Sequence, residues 1–280
     1  MASETNRQYC LARVRDYDYD RYFAAALADS DTRRGLLALY AFNLEIASVR
    51  ELVSEPTIGL MRLQWWRDTV EGIYEGTVRN HAVAGELAEA IHRYDLPREE
   101  FDRMIDAREF DVDDGAPEDF AALNRYADET AGSLATLAAR LCGCGESPDA
   151  TRAAGRIWAL AGLLRAVPFH ASTGKVFLPR DVLHREGVRQ EAIVDSGRRS
   201  GVERAIAALI PEIRRMIPET RDALRALPRS ARPAVAYLPV ADLYLSRLAG
   251  AGGDVFGDRR EPGLLRRQMT MVAAHFAGRF

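Results

Sequence analysis

Apolar residues recur every three to four positions along most of the chain, the spacing that places them on one face of an α-helix. Residues 32–52 carry such a stripe through Leu36, Tyr40 and Leu44. We expect this helix to stop before Pro56, because proline cannot donate the backbone hydrogen bond that would continue it. Further stretches with helical spacing cover residues 59–76, 81–97, 98–114, 120–143, 149–171, 201–227 and 231–250.

Glycine and proline punctuate these stretches. Gly76 follows one of them, Pro97 separates two others and Pro168 interrupts a fourth. An alternating pattern of the kind that predicts strands does not extend beyond "KVFLP" at residues 175–179, and the glycine-rich residues 249–263 are predicted to be a loop. The pattern therefore predicts one all-α domain over residues 1–280, with roughly eight to twelve helices.

Composition and charge narrow the function classes. The chain has 280 residues, 48% of them hydrophobic, so it can bury a large core. A net charge of −3 and a pI of about 6.0 argue against nucleic-acid binding. Lys175 is the only lysine, and all other basic side chains apart from histidine are arginine. We interpret this bias as GC-rich, bacterial coding; the alternative is phosphate recognition by arginine.

No metal-binding, membrane-spanning or secretory signal is visible in the sequence. Its three cysteines and five histidines lack the spacing of metal ligands. No apolar run reaches the ~18 residues of a membrane span. Residues 1–10 lack the charged start and apolar core of a signal peptide. We therefore expect a cytoplasmic protein without a metal, and leave open a peripheral attachment to the inner membrane.

Five stretches occur in an order and at a spacing similar to those of one enzyme family. They are "ALYAF" (38–42), "WWRDTVEGIYEG" (65–76), "FDRMIDAREFDVD" (101–113), "YADETAGSLATLAARLCG" (126–143) and "LLRAVPFHASTGKVFLP" (163–179). Together they resemble the squalene/phytoene synthase family, with a core at about residues 20–260. The resemblance implies the all-α isoprenoid (prenyl) synthase fold, in which helices surround a central cavity.

The resemblance also implies a metal site that this chain does not reproduce. The family joins two prenyl diphosphates, and Mg²⁺ ions bridge the departing diphosphate to aspartates spaced Asp-x-x-x-Asp on two facing helices. One of these aspartate pairs falls on Ala166 and His170 here. The other aspartate-rich stretch falls on Ala47, Ser48 and Glu51. The resemblance therefore predicts no catalytic residue, no metal and no cofactor.

One branch of the family, the phytoene-synthase-like assembly factors of respiratory complex I, resembles residues 40–56, 62–68 and 163–171 more closely. This resemblance implies a catalytically degenerate protein that acts with partners in complex I assembly. Two alternatives stay open. One is an active head-to-head prenyl transferase that needs Mg²⁺ and uses displaced acids such as Asp106 and Asp111. The other is a protein that binds an isoprenoid or lipid in the family's cavity without the reaction.

The matching stretches supply the candidates for lining such a cavity. Small and apolar residues are expected to face an apolar tunnel: Ala131, Gly132, Leu134, Ala135, Ala161 and Leu164. The alternative is that side chains have filled the tunnel, because an unused cavity is costly. Our candidates for contacting a ligand are Tyr40, Phe42, Tyr126, Gly132, Arg165 and Lys175.

A second candidate surface lies where one predicted helix ends and the next begins, at "VRELVSEP" (49–56) and "RLQWWRD" (62–68). Arginine and tryptophan are enriched at interface hot spots. We therefore expect Arg50, Glu51, Trp65 and Arg67 to contact a partner protein. The alternative is an internal network of ion pairs that locks the two helices together.

Overall fold

The computed structural model describes residues 2–53, 55–144, 149–194, 199–257 and 261–280. Within these ranges the chain forms eighteen α-helices and no β-strand. The helices are α1 (Ala2–Tyr17), α2 (Tyr19–Ala26), α3 (Ser30–Ala47), α4 (Val49–Leu52), α5 (Pro56–Tyr74), α6 (Ala82–Tyr94), α7 (Arg98–Ala107), α8 (Glu109–Val112), α9 (Phe120–Ala127), α10 (Ser133–Leu141), α11 (Asp149–Arg165), α12 (Val167–Ser172), α13 (Arg180–Arg185), α14 (Gln190–Val194), α15 (Arg199–Arg215), α16 (Ile217–Leu224), α17 (Leu238–Gly250) and α18 (Leu264–Ala277).

The predicted helical stretches are present, but most of them are divided, so the expected range of eight to twelve helices was too low. The stretch 32–52 forms α3 and α4, with a break at Ser48. Pro56 is the first residue of α5, where its missing N–H costs nothing. Pro168 similarly lies in the first turn of α12, just after α11 has ended at Arg165.

The stretch 120–143 contains a wider turn that its apolar pattern did not predict. A π-helical turn, Asp128–Gly132, separates α9 from α10. The Thr130 hydroxyl donates to the Tyr126 carbonyl oxygen at 2.7 Å. Such turns insert an extra residue into a helix and are frequent at functional sites.

Aspartate side chains begin three of the helices. Asp18 accepts a hydrogen bond from the backbone N–H of Arg21 at the start of α2. Asp29 accepts from two backbone N–H groups at the start of α3, and Asp119 accepts from Ala122 at the start of α9. These caps satisfy donors that would otherwise have no partner in the first turn.

Helix α1 lies outside the stretches in which the sequence pattern predicted a helix. It packs on α3 and α6 and buries Cys10 and Val14. Most buried apolar side chains form one large cluster that extends along the chain from Cys10 to Val255, and a smaller second cluster includes Tyr237 and Met271. In the described part of the chain, no helix combines the length and the apolar character needed to cross a membrane.

Helix α11 runs through the middle of this packing. It contacts the π-helical turn, α10, α16 and α17. It approaches the π-helical turn closely at Gly155, where an added Cβ would lie 2.1 Å from the carbonyl oxygen of Ala131. Glycine at this position therefore sets the distance between α11 and the π-helical turn.

Candidate functional site

A cavity of about 260 Å³ opens between the ends of several helices. The last turns of α3 and α11, the short helices α4 and α12, and the π-helical turn enclose it. Its volume is slightly below the range of about 300–1,000 Å³ that is typical of small-molecule sites. Unlike the apolar tunnel expected from the sequence, this compact cavity has several charged residues in its wall.

Four of the five positions that the family resemblance marked as altered metal sites line this one cavity. Ala47 lies at the end of α3, Glu51 lies in α4, Ala166 follows α11 and His170 lies in α12. Ser48 is the exception, since it is not part of the wall. Residues from two distant parts of the chain therefore meet across the cavity, as the resemblance predicted for the two aspartate-rich stretches.

Two of the six candidates for ligand contact, Tyr126 and Lys175, line the cavity. Tyr40 and Phe42 do not, because both are almost fully buried in the core of α3. A period of 3.6 residues identifies the apolar face of a helix but does not separate its core-facing part from its cavity-facing part. Tyr40 and Phe42 therefore lie on the core-facing side of α3 and not on its cavity-facing side.

Gly132 and Arg165, the other two ligand candidates, also lie outside the cavity wall. Gly132 faces Arg152, and Arg165 forms an ion pair with Glu261 at 3.3 Å. The guanidinium of Arg165 also stacks over the ring of Tyr244, 3.8 Å from its centroid. Arg165 is therefore occupied by contacts within the protein.

The cavity-facing residues of α11 differ from those predicted. Ala161 and Leu164 are buried in the core, whereas Ala159, Gly162 and Leu163 line the cavity. In the preceding segment Ala131 lines the cavity, and Leu134 and Ala135 are buried in the packing of α10. Both faces of α11 are apolar over this region, so the sequence pattern alone could not distinguish them.

A buried polar triad lies in the cavity wall. The hydroxyl of Tyr126 donates to Asp111 at 2.6 Å. Arg108 donates to the Tyr126 oxygen at 2.7 Å and to Asp111 at 3.0 Å. Burial raises the pKa of Tyr126 well above its usual value. The Asp111 carboxylate, one of our candidates for a displaced acid, is therefore held by two side chains of the protein.

Lys175 holds a loop in place beside this triad. Its ammonium donates to the carbonyl oxygens of Phe110, Asp113 and Gly115. The pKa of Lys175 is lowered to about 8, chiefly by burial, with Arg50 acting in the same direction and Asp111 opposing it. Because the three donors of an ammonium match three carbonyl oxygens, this lysine stabilises the loop more than it offers hydrogen bonds to a ligand.

Arg21, which sequence reasoning did not select, reaches the cavity from α2. Its guanidinium donates to Asp18 at 2.8 Å and lies within 6 Å of three aromatic ring centroids. Its Nε has no hydrogen-bond partner among the described residues, and neither has the Nε of Arg108. Nothing in the local pattern around Arg21 indicated a cavity residue, because the contact depends on how α2 packs.

The charged residues of the cavity wall give it a positive balance. Four cationic side chains, Arg21, Arg50, Arg108 and Lys175, face two carboxylates, Glu51 and Asp111. Burial raises the pKa of Glu51, which favours its neutral form. The cavity would therefore favour a ligand with an anionic or strongly hydrogen-bond-accepting head group.

The candidate partner surface is largely engaged in contacts within the protein. Arg67 donates to Asp106 at 2.6 Å and to Glu109 at 2.7 Å. Arg50 donates to the Val112 carbonyl oxygen at 2.8 Å and to Asp114. These contacts are internal, but they tie α4 and α5 to residues 106–114 and do not join the two helices to each other as the alternative expected. Ser54, which belongs to the same sequence stretch, lies outside the described residues.

Trp65 differs from the two arginines because it borders an open groove. Its ring packs edge-on against buried Trp66 and lies beside His81. The groove has a volume of about 490 Å³, and the exposed side chains of Ile58 and Met61 also line it. Of the four candidate residues, Trp65 thus lies where a partner could reach it, and Glu51 lines the cavity instead.

Comparison with known proteins identifies the family. A family model described as squalene/phytoene synthase matches residues 14–268. The chain belongs to the squalene/phytoene synthase family. Among the solved structures of similar fold is a dehydrosqualene synthase, with a TM-score of 0.81 and 16% identity over 96% of this chain and 95% of that one. The predicted all-α isoprenoid synthase fold is thus confirmed.

Two relatives bear the name NADH dehydrogenase (ubiquinone) complex I, assembly factor 6. The protein from Bos taurus is 33% identical over 273 residues, which are 96% of this chain and 80% of that protein. The protein from Mus musculus is 34% identical over 266 residues, which are 94% of this chain and 78% of that protein. The predicted resemblance to the complex I assembly factor branch of the family is therefore confirmed.

The Mg²⁺ that squalene/phytoene synthase chemistry implies does not fit the donors in this cavity. Magnesium is bound chiefly by oxygen ligands in near-octahedral geometry. The cavity offers Asp111, which Arg108 and Tyr126 already hold, and Glu51, whose pKa is raised by burial. In the ranges that the structure describes, no group of three or more His, Cys, Asp or Glu side chains is placed to hold a metal ion.

The imidazole of His170 makes the free energy of unfolding depend on pH. Its pKa is lowered to about 4, chiefly by burial, with Arg108 and Lys175 acting in the same direction and Asp111 opposing them. Between pH 6.5 and 4 the imidazole is therefore protonated in the unfolded chain but neutral in the folded protein. His170 consequently lowers the stability of the folded protein as the pH falls through this range. Its contribution is up to about 3 kcal/mol.

We expect His170→Gln to lose this part of the pH dependence. Chemical denaturation at pH 7 and pH 4.5 should show a smaller loss of unfolding free energy for the variant than for the unchanged protein. His184→Gln, at an exposed position, is the control and should behave like the unchanged protein. Equal pH dependence in all three proteins would contradict the burial of a neutral imidazole.

Proposed function

We propose that this protein acts in the assembly of respiratory complex I and has lost the prenyl-transfer reaction of its family. The observation that supports this most directly is the cavity wall. Ala47 and Ala166 lie where the family resemblance places metal-binding aspartates, and they line the same cavity from two different helices. The two relatives of similar sequence are named as complex I assembly factors.

Electrostatics explain why these substitutions matter for the reaction. Ionising an allylic diphosphate requires stabilisation of the departing pyrophosphate, and loss of one such contact costs about 3–4 kcal/mol in the barrier. The positive charges of Arg21 and Arg108 could attract a diphosphate, but cations that are fixed by Asp18 and Asp111 do not replace two bridging metal ions. Binding without turnover is the expected consequence.

A second candidate function, binding of an isoprenoid or lipid, has its own support. The wall combines apolar side chains such as Leu163 and Phe177 with the Nε atoms of Arg21 and Arg108, which have no partner within the described part of the chain. A small volume of about 260 Å³ favours one polar head group with part of a chain over two complete prenyl chains. This candidate is compatible with a role in complex I assembly.

We expect deletion of the gene in its source organism to lower the NADH:quinone activity of membranes, and a plasmid copy to restore it.

The purified protein, supplied with Mg²⁺ and farnesyl or geranylgeranyl diphosphate, should yield no condensed product. Mass spectrometry of lipid that copurifies with the protein tests the second candidate in the same preparation. Formation of squalene, phytoene or a cyclopropyl precursor would favour the active prenyl transferase, and Asp111→Asn should then abolish it.

The proposal includes a cytoplasmic location and a bacterial source. The expected cytoplasmic location fits a factor that acts on a membrane complex only if the protein can reach the membrane surface. A bacterial source is suggested by the arginine-rich composition, whereas both relatives described above are mammalian. Fractionation of cells before and after gene deletion would address the location.

A further inference from the structure

Helix α18 carries apolar side chains on two different faces. One face is buried, and Met271 and Ala274 pack there against the rest of the protein. The other face exposes Leu265 (71%), Met269 (59%) and Phe276 (56%) to solvent. A helix that packs on a protein core usually presents polar residues outward. These three side chains therefore lie outside the buried core.

The exposed apolar residues, together with half-buried Val272, are aligned along the helix. Leu265, Met269, Val272 and Phe276 are spaced by four, three and four residues. Because successive residues of an α-helix are rotated by about 100°, these four positions fall within a narrow arc. We call this set the outer stripe. Its length is about three turns of helix, with Leu264, 47% exposed, beside its first residue.

The charge around the outer stripe has one sign. Residues 262–280 contain three arginines and no aspartate or glutamate, although the whole chain has a net charge of −3. Arg266 and Arg279 are exposed. Arg229 stacks on the ring of Phe276, 4.4 Å from its centroid, and adds a third cation beside the stripe, since Arg267 is paired with buried Asp20. The exposed carboxylate nearest in sequence, Glu261, is paired with Arg165.

We propose that the outer stripe of α18 docks the protein on an anionic lipid surface. An apolar stripe flanked by arginines is the pattern of helices that lie in the plane of a membrane interface. The apolar side chains would enter the boundary between head groups and acyl chains, and the arginines would pair with phosphate groups. A protein groove of complementary shape could accept the apolar stripe, but the uniform positive charge around it favours an anionic lipid surface.

The rest of α18 is suited to hold this surface in place. Arg232 donates to the carbonyl oxygen of His275 at 2.9 Å, which satisfies an acceptor in the last turn of the helix. Arg267 binds buried Asp20 at 2.8 Å and so fixes the inner side of the helix on α2. Docking would therefore need no rearrangement of the fold. The proposal does not depend on the role in complex I assembly.

The test is flotation of the purified full chain with vesicles. We expect binding to vesicles of phosphatidylcholine and phosphatidylglycerol in equal parts, and little binding to phosphatidylcholine alone. Leu265→Ser/Met269→Ser should weaken binding about tenfold or more through loss of buried apolar area. Arg266→Gln/Arg279→Gln should weaken it by a similar factor and reduce its dependence on salt.

Leu52→Ser/Leu60→Ser is the matched control, because these two side chains are 55% and 44% exposed outside α18. It should bind vesicles like the unchanged protein. Circular dichroism melts of all variants should coincide within a few degrees, since every changed side chain is exposed. Absence of vesicle binding, equal binding to both vesicle types, or an equal loss in the control would overturn the proposal. So would wild-type affinity in the Leu265→Ser/Met269→Ser protein, which would leave a protein partner as the occupant of the stripe.

Discussion

Gly155→Ala is expected to lower the free energy of unfolding by about 3 kcal/mol, which is large for the addition of one methyl group. The added Cβ would lie 2.1 Å from the Ala131 carbonyl oxygen and 2.7 Å from the Cβ of Ala135. The nearest of these atoms belongs to the backbone of the π-helical turn, so no flexible side chain can move aside. Either α11 or the turn has to shift.

Gly162→Ala is the control for this prediction, since it lies in the same helix with nothing within 4 Å of the added Cβ. There the exchange should stabilise the protein by up to about 1 kcal/mol, because alanine favours the helix more than glycine does. Urea denaturation of both variants measures the difference. Similar stabilities for Gly155→Ala and Gly162→Ala would show that α11 and the π-helical turn do not approach as closely as described.

The same shift should reach the cavity. Ala131 lines it from the π-helical turn, and Ala159 and Leu163 line it from α11. If Gly155→Ala separates these two elements, the cavity should widen, and any lipid that copurifies with the unchanged protein should change in amount. The close packing at Gly155 is thus coupled to the candidate site through two neighbouring turns of α11.

The sequence predicted the helical architecture because the relevant signals are local. Apolar spacing identified the stretch that becomes α3 and α4, and Pro168 marked the break between α11 and α12. The π-helical turn Asp128–Gly132 was missed, because no local residue pattern distinguishes it from a turn of regular helix. Local periodicity therefore locates helices more reliably than it locates their irregular turns.

The candidate site was only partly accessible to the same reasoning. The family resemblance led to Ala47, Ala166 and His170, which the structure brings together in one cavity. Arg21 and Arg108 were missed, because their position in the wall depends on contacts between helices far apart in sequence. A charged residue on an amphipathic helix is usually solvated, and only tertiary packing reveals the exceptions.

Breaking the buried ion pair between Asp20 and Arg267 is expected to cause the second large loss of stability. Asp20 is 5% exposed, and Arg267 donates to both of its carboxylate oxygens at 2.8 and 2.9 Å. The hydroxyl of Tyr244 donates to the same carboxylate at 2.9 Å. These contacts join α2, α17 and α18. No local pattern could predict the pair, since 247 positions separate its partners.

Arg267→Met should therefore lower the free energy of unfolding by about 3–5 kcal/mol at neutral pH, because it leaves a buried carboxylate with one hydroxyl donor. Burial already raises the pKa of Asp20, and loss of the guanidinium should raise it further. A carboxyl group with a raised pKa in the folded state makes that state more stable as the pH falls, so the penalty should be smaller at pH 5 than at pH 8.

Asp20→Asn/Arg267→Met should recover most of the lost stability, since no buried charge remains. Arg15→Met, which breaks an exposed ion pair with Asp16, should leave the stability nearly unchanged. A penalty that is independent of pH, or a double variant as unstable as Arg267→Met, would show that α18 is held mainly by its apolar contacts and not by this pair.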